Sequence, residues 1–156
     1  MESNRTYHYL FKYSLLGVGI MLIISAIVSW IAPESMTING QPGTQDITTT
    51  MIIGLMGVIA FLVFLLVKDK FAIVELGNQT IKIKHNGQHR SVLWLDIEKI
   101  ELIQFVYPPL YRLKTKDTED TVWFNTKPNY LSFNGFVADL SEMGDLIKKK
   151  KRELEI

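Results

Sequence analysis

The stretch LLGVGIMLIISAIVSWIA, Leu15–Ala32, decides the reading of this chain, and MIIGLMGVIAFLVFLLV, Met51–Val67, repeats its message. Neither contains a charged residue. At 1.5 Å of rise per residue, each makes a helix of roughly 25–27 Å, close to the hydrocarbon thickness of a bilayer. Transmembrane helices are therefore expected over about 13–32 and 50–67. The first run is longer than the 7–15 residues usual in a signal peptide. Cleavage after Ala32 would also place Trp30 where a small side chain is needed and Pro33 immediately downstream. A retained helix is the expectation.

Working outward, the charges fall almost wholly to one side. Of the 17 Lys and Arg, only Arg5 and Lys12 precede Lys68, and of the 16 acids only Glu2, Glu34 and Asp46 do. The chain divides into a membrane part, 1–67, and a soluble part, 68–156. Basic residues before the first helix and Lys68 and Lys70 after the second flank a connecting loop, 33–49, that has none. The positive-inside rule then puts both termini in the cytoplasm, and the expected location is the cytoplasmic membrane. Tyr7, Tyr9, Phe11 and Tyr13 suit an inner interfacial belt and Trp30 the outer one. Asn39-Gly40 and Pro42-Gly43 are turn signals, so the loop is either a strand pair or an unstructured connector, the connector being favoured.

Small residues punctuate both helices: Gly17, Gly19, Ser25, Ala26 and Ser29 in the first, Gly54, Gly57 and Ala60 in the second. The spacing of Ser25 and Ser29 permits close helix approach. Packing of the two helices on each other is favoured, with a homo-oligomer interface as the alternative. Without ionisable residues in the apolar runs, a transporter or channel is disfavoured. A net charge of +1 gives no argument for nucleic acid, and the absence of cysteine removes disulfides and thiolate metal sites.

Past Val67 the period becomes that of strands. Phe71–Leu76, Thr80–Lys84, Ser91–Leu95, Ile100–Val106, Tyr111–Lys116 and Thr121–Asn125 alternate or run apolar, and Tyr130–Phe133 is a candidate seventh. Asn86-Gly87 is a strong hairpin signal. Leu140, Met143, Ile147 and Leu154 then fall near one helical face, with Asp139 and Glu142 at capping-box spacing. The fold class is α+β and membrane-anchored: a two-helix hairpin, then six or seven antiparallel strands closed by a C-terminal helix.

The run Ser91-Val-Leu-Trp-Leu-Asp-Ile-Glu-Lys-Ile100 resembles the strand-then-W-x-D-I-x-x-I pattern of the bacterial pleckstrin-homology-like (PH-like) domain family. The resemblance covers about residues 70–153 and implies a PH-like barrel or sandwich. It implies no particular chemistry, because the motif is structural.

Candidate contacts for lipid or a protein partner are Lys82, Lys84 and Arg90 on one hairpin, and Phe105, Tyr107 and Tyr111 around Pro108-Pro109. The basic set departs from the K-x(n)-K/R-x-R pattern of phosphoinositide-binding PH domains, so a solvated face or weak attraction to anionic lipid is the expectation. His85 and His89 are too few for a metal site. Lys148–Arg152 reads as a solvated helix end. Trp94 and Trp123 suit core positions. No phosphate loop, nucleophile elbow or metal-ligand spacing occurs, so a non-catalytic binding or scaffolding module without cofactor is expected. The alternatives are an accessory subunit of a membrane complex and a weak anionic-lipid-binding domain.

Overall fold

The computed structural model describes residues 1–35, 37–38, 41–42 and 46–155. The chain is α+β, with two long apolar helices, three small antiparallel sheets after them and a C-terminal helix. It falls into two compact units, one of Phe11–Lys68 and one of Met1–Leu10 with Asp69–Ile156. The first ten residues thus belong with the β-rich part, whereas the sequence reading grouped them with the helices.

Helix α1 spans Arg5–Ile31 and α2 spans Ile47–Val67, both long and apolar enough to cross a membrane. Each starts earlier than its apolar run because a side chain caps it. The Tyr7 amide donates to Asn4 Oδ1 at 3.1 Å, and the Thr48 amide donates to Asp46 Oδ1 at 3.0 Å. The Thr49 hydroxyl also donates to Asp46, which holds that carboxyl below its usual range. Between the helices, β1 (Thr37–Ile38) pairs antiparallel with β2 (Gln41–Pro42). The loop is therefore a two-rung ribbon where a connector was favoured; Asn39, Gly40 and Gly43 lie outside the described residues.

Within this unit the helices meet through glycine. A Cβ at Gly57 would stand 2.8 Å from Ile23 Cγ1 and 3.0 Å from Ile23 N, and one at Gly19 would stand 3.1 Å from Gly57 O. The Ser29 and Thr50 hydroxyls lie 3.0 Å apart. Close approach through small residues is thus observed, with Gly19 and Gly57 at its centre. Ala26 and Phe64 are buried, while Met21, Ile31, Met51 and Leu66 face outward.

The β-rich unit has eight strands, one more than the sequence predicts. In one sheet β3 (Ile73–Leu76), β4 (Thr80–His85) and β5 (Gln88–Leu93) follow in order. In a second, β6 (Ile97–Ile103), β7 (Leu110–Thr115) and β8 (Thr118–Asn125) do the same. A two-stranded sheet pairs β9 (Tyr130–Phe133) with β10 (Phe136–Asp139), and β10 is the unexpected strand. Helix α3 covers Glu142–Leu154. Val74, Leu76, Ile81, Ile83, Ile97, Ile100, Leu113, Phe124, Met143 and Ile147 form one core, so both larger sheets and α3 bury their apolar sides together.

The Trp94-Leu95-Asp96-Ile97 run is a corner where a continuing strand was expected. Trp94 enters the core and its Nε1 donates to Gly77 O at 2.9 Å. Asp96 accepts the Leu93 amide at 3.3 Å, Leu95 turns outward, and Ile97 re-enters the core as β6 begins. β6 ends at Ile103, short of Val106, because Phe105 takes a left-handed φ of 63°. Trp123, expected in the core, is half-buried beneath Lys70 Nζ and beside Phe71. Leu140 precedes α3 and is exposed, leaving Met143 and Ile147 as its buried face.

Met1–Ser3 lie antiparallel along the outer edge of β3. The Ser3 amide donates to Val74 O and the Leu76 amide to Met1 O, both at 2.7 Å, while the Val74 amide donates to Ser3 Oγ at 2.9 Å. Asn4 N then donates to Asn125 O at 3.1 Å, and Ala72 N to Trp123 O at 2.8 Å. The two lines of backbone that lead to the helices are therefore both pinned to the last residues of β8. An edge that would otherwise offer unpaired amides is covered by the chain itself.

The helix packing makes a direct prediction. Ser29→Cys with Thr50→Cys should close an intramolecular disulfide in a chain that has no other cysteine, read by gel mobility with and without reductant. Adding Gly57→Leu should lower the yield severalfold, because the side chain has no room against Ile23. An unchanged yield would place the contact elsewhere.

Candidate functional site

The basic hairpin is built by β4 and β5, and its register separates the residues that the sequence grouped. Lys82 pairs with Ser91 and Lys84 with His89, while Arg90 pairs with Ile83. Directly paired residues share a face, so Lys82 and Lys84 are on one side and Arg90 on the other. Arg90 is half-buried and donates to Thr115 Oγ1 at 3.2 Å. Lys82 meets Glu75 at 3.3 Å. A shallow depression of about 300 Å³ lies here, lined among others by Glu2, Arg5, Glu75, Lys82, Lys84 and Arg90, so all three basic candidates border it. Its charges alternate in sign, and Arg5 is held by Glu2 at 2.6 Å. This is a mixed surface and not a basic pocket. His85 and His89 sit on opposite faces by the same register, and His85 Nε2 contacts Asp69 O. Among the described residues no three His, Asp or Glu side chains gather as a metal site.

On the outer side of β6 and β7 a ladder of exposed ion pairs joins Arg112 to Glu101 at 2.6 Å, Lys99 to Glu101 at 2.7 Å and Lys114 to Glu98 at 2.8 Å. The hydrogen bond from Arg112, then that from Lys99, pushes the Glu101 carboxyl down to about 2. Exposed pairs of this kind add little stability.

The aromatic residues around Pro108-Pro109 divide as well. Tyr111 is buried and stacked on Phe124 at 5.5 Å. It cannot serve as the surface contact that the sequence suggested; it belongs to the core. Phe105 is 65% exposed and Tyr107 half-exposed. Phe105 leans on the β9–β10 turn: its amide donates to Gly135 O at 3.0 Å and its ring is 5.5 Å from Phe136. Only glycine fits at 135, where φ is +86° and a Cβ would stand 2.3 Å from the Phe105 ring. Tyr107 lies 5.8 Å from Tyr130.

The β9–β10 hairpin carries the residues that sequence reasoning missed. Its register pairs Phe133 with Phe136 and Leu131 with Ala138 on one face, and Ser132 with Val137 and Tyr130 with Asp139 on the other. Val137 and Asp139 face inward and are buried, so the first face points to solvent. On it Phe133 is 78%, Leu131 65% and Phe136 62% exposed. With Phe105 they make a continuous apolar lip. The signal was available in the sequence, since Asn134-Gly135 is a hairpin turn between Leu-x-Phe and Phe-x-Ala.

What holds the lip in this sense is Asp139. It is fully buried, with Oδ1 accepting the Ser141 amide at 2.8 Å and Oδ2 the Thr126 hydroxyl at 2.8 Å. Lys148 Nζ donates to its backbone carbonyl at 2.6 Å. Ser141, and not Asp139, caps α3, accepting the Gly144 amide at 3.1 Å. Burial, and then the Asp139 charge, push the Tyr111 hydroxyl well above the usual tyrosine range.

Two outcomes follow from this centre, measurable by denaturant unfolding of the full chain in detergent. Tyr111→Phe should remove a hydroxyl that burial keeps protonated, and with it a pH dependence of stability. Because the folded-state pKa of Tyr111 is raised, its contribution is complete below pH ~10 and is lost as pH rises beyond. The wild type should therefore weaken above that pH and the phenylalanine variant much less; an unchanged alkaline limb would remove Tyr111 from this role. Gly144→Ala should cost about 1–3 kcal/mol by overpacking, since its Cβ would meet Asp139 Cγ and Oδ2 at 2.5 Å.

In comparison with known proteins, no family model, no curated protein and no solved structure matches this chain, and the functional reading rests on the geometry above.

Proposed function

We propose that the chain is a membrane-anchored, non-catalytic binding or scaffolding module, in which α1 and α2 cross the cytoplasmic membrane as a hairpin and display a domain of PH-like fold on the cytoplasmic face. One observation carries this reading: Met1–Leu10 and Asp69–Ile156 form a single compact unit, so the chain leaves and re-enters the same domain around its two apolar helices. A hairpin spanning a bilayer needs that topology, with both ends on one side. Lys and Arg at those ends, and none in the connecting loop, favour the cytoplasmic side for them. Two three-stranded antiparallel sheets sharing a core with a C-terminal helix support the PH-like reading of the domain. Its mixed-charge depression supports recognition of a protein more than of a phosphorylated headgroup. The action is localisation, which raises the effective concentration of whatever the domain holds near the membrane.

The test uses the absence of cysteine. Asp46→Cys, in the connecting loop, should react with an impermeant thiol reagent on intact cells, whereas Gln88→Cys should react only after permeabilisation; the reverse pattern refutes the orientation. For function, partners crosslinked to the full chain should persist when 11–68 is replaced by a flexible linker that keeps 1–10 beside β3. Partners lost with the helices would favour an accessory subunit of a membrane complex.

A further inference from the structure

Exposed apolar side chains are ordinary when scattered, but a whole hairpin face of them is not. Leu131, Phe133, Phe136 and Ala138 share the outer face of β9–β10, and Phe105 extends it across the turn. A buried carboxylate, a buried valine and a steric requirement for glycine at 135 all fix this arrangement. The lip is built, and something must cover it.

Position and charge indicate what does. The lip is joined to the end of the β6–β7–β8 sheet from which the chain departs toward its helices. Val137 N donates to Gln104 Oε1 at 2.7 Å, and Pro109 O accepts from Asn125 Nδ2 at 3.2 Å and Thr126 N at 3.3 Å. Asn125 O in turn accepts the Asn4 amide, one residue before α1. The lip and the departing chain thus share one end of the domain. No Asp or Glu occurs in 102–113 or 125–138, the two segments that form this end; Arg112 there is paired with Glu101, and Lys127 borders a depression with Glu2 and Glu142. A surface rich in Phe, Leu and Tyr, with no carboxylate among its own residues, suits the interfacial layer of a bilayer.

We propose that the outer face of β9–β10, with Phe105, is a membrane-docking surface that lies in the interfacial layer of the bilayer spanned by α1 and α2. This rests on the anchoring reading above. Docking adds a third point of attachment and fixes which side of the domain faces the cytoplasm.

The experiment takes the full chain, one copy per nanodisc of phosphatidylethanolamine and phosphatidylglycerol, with an environment-sensitive fluorophore on Ala138→Cys or, as control, on Gln88→Cys. The Ala138 probe should be quenched by iodide severalfold less than the control and quenched strongly by lipid spin-labelled near the headgroup. Phe133→Ser with Phe136→Ser, which removes only exposed side chains and should leave the unfolding midpoint in place, should abolish both effects. Equal iodide quenching at the two positions overturns the proposal. Protection without quenching by spin-labelled lipid also overturns it, and assigns the face to a protein surface. A chain that alkaline carbonate strips from the discs overturns the anchoring reading first and the docking surface with it.

Discussion

The β-rich unit depends on burying one carboxylate. Removing Asp139 from water without partners would cost several kcal/mol, so its site is workable only with donors in place. Those donors come from separate parts of the chain: the Ser141 amide before α3 and the Thr126 hydroxyl after β8. Each can reach Asp139 only if the sheet, the hairpin and the helix are already mutually positioned. Gly144 allows the approach, because α3 could not come so close with a side chain there. The interaction is thus a condition of assembly more than a source of net stability, since exchanging water for two protein donors returns about what desolvation takes.

That condition fixes the phase of the hairpin. In a strand, neighbouring side chains point to opposite faces, so an inward Asp139 forces an outward Ala138, an inward Val137 and an outward Phe136. Cross-strand pairing then sends Phe133 and Leu131 outward too. Hydrophobicity alone would choose the other phase, with the phenylalanines in the core and the aspartate in water. A one-residue slip would achieve it, and the donors gathered around Asp139 prevent that slip. The apolar lip is a consequence of a polar interaction on the opposite face.

This explains which parts of the molecule were legible in the sequence. The helices were, because their signal is a continuous run and needs no partner. The Thr80–Lys84 strand and its Asn86-Gly87 turn were, because alternation and the turn residues agree locally. The inward Asp139 was not, since its partners lie 2 and 13 residues away in sequence and act through geometry. The edge strand at Met1–Ser3 escaped because three residues carry no period, and only the free amides of β3 give them a role. Lys82, Lys84 and Arg90 border one depression, but their split across the two faces of the hairpin was not legible, because nearness in sequence does not say which residues share a face. Tyr111 looked like part of a surface with Tyr107 and Phe105, yet its side chain is buried and its ring has a stacking partner.

An exposed apolar hairpin is hazardous for a freely diffusing domain, because its outer face and strand edges invite association with other chains. The rest of the unit guards against that: Met1–Ser3 cover the edge of β3, and a ladder of ion pairs covers the outer side of β6 and β7. The β9–β10 face is left apolar. The proposed anchoring changes the meaning of such a face, since a domain tethered in that way would meet lipid far more often than another copy of itself. The retention of the lip beside carefully covered edges argues that this part of the surface is shaped for contact.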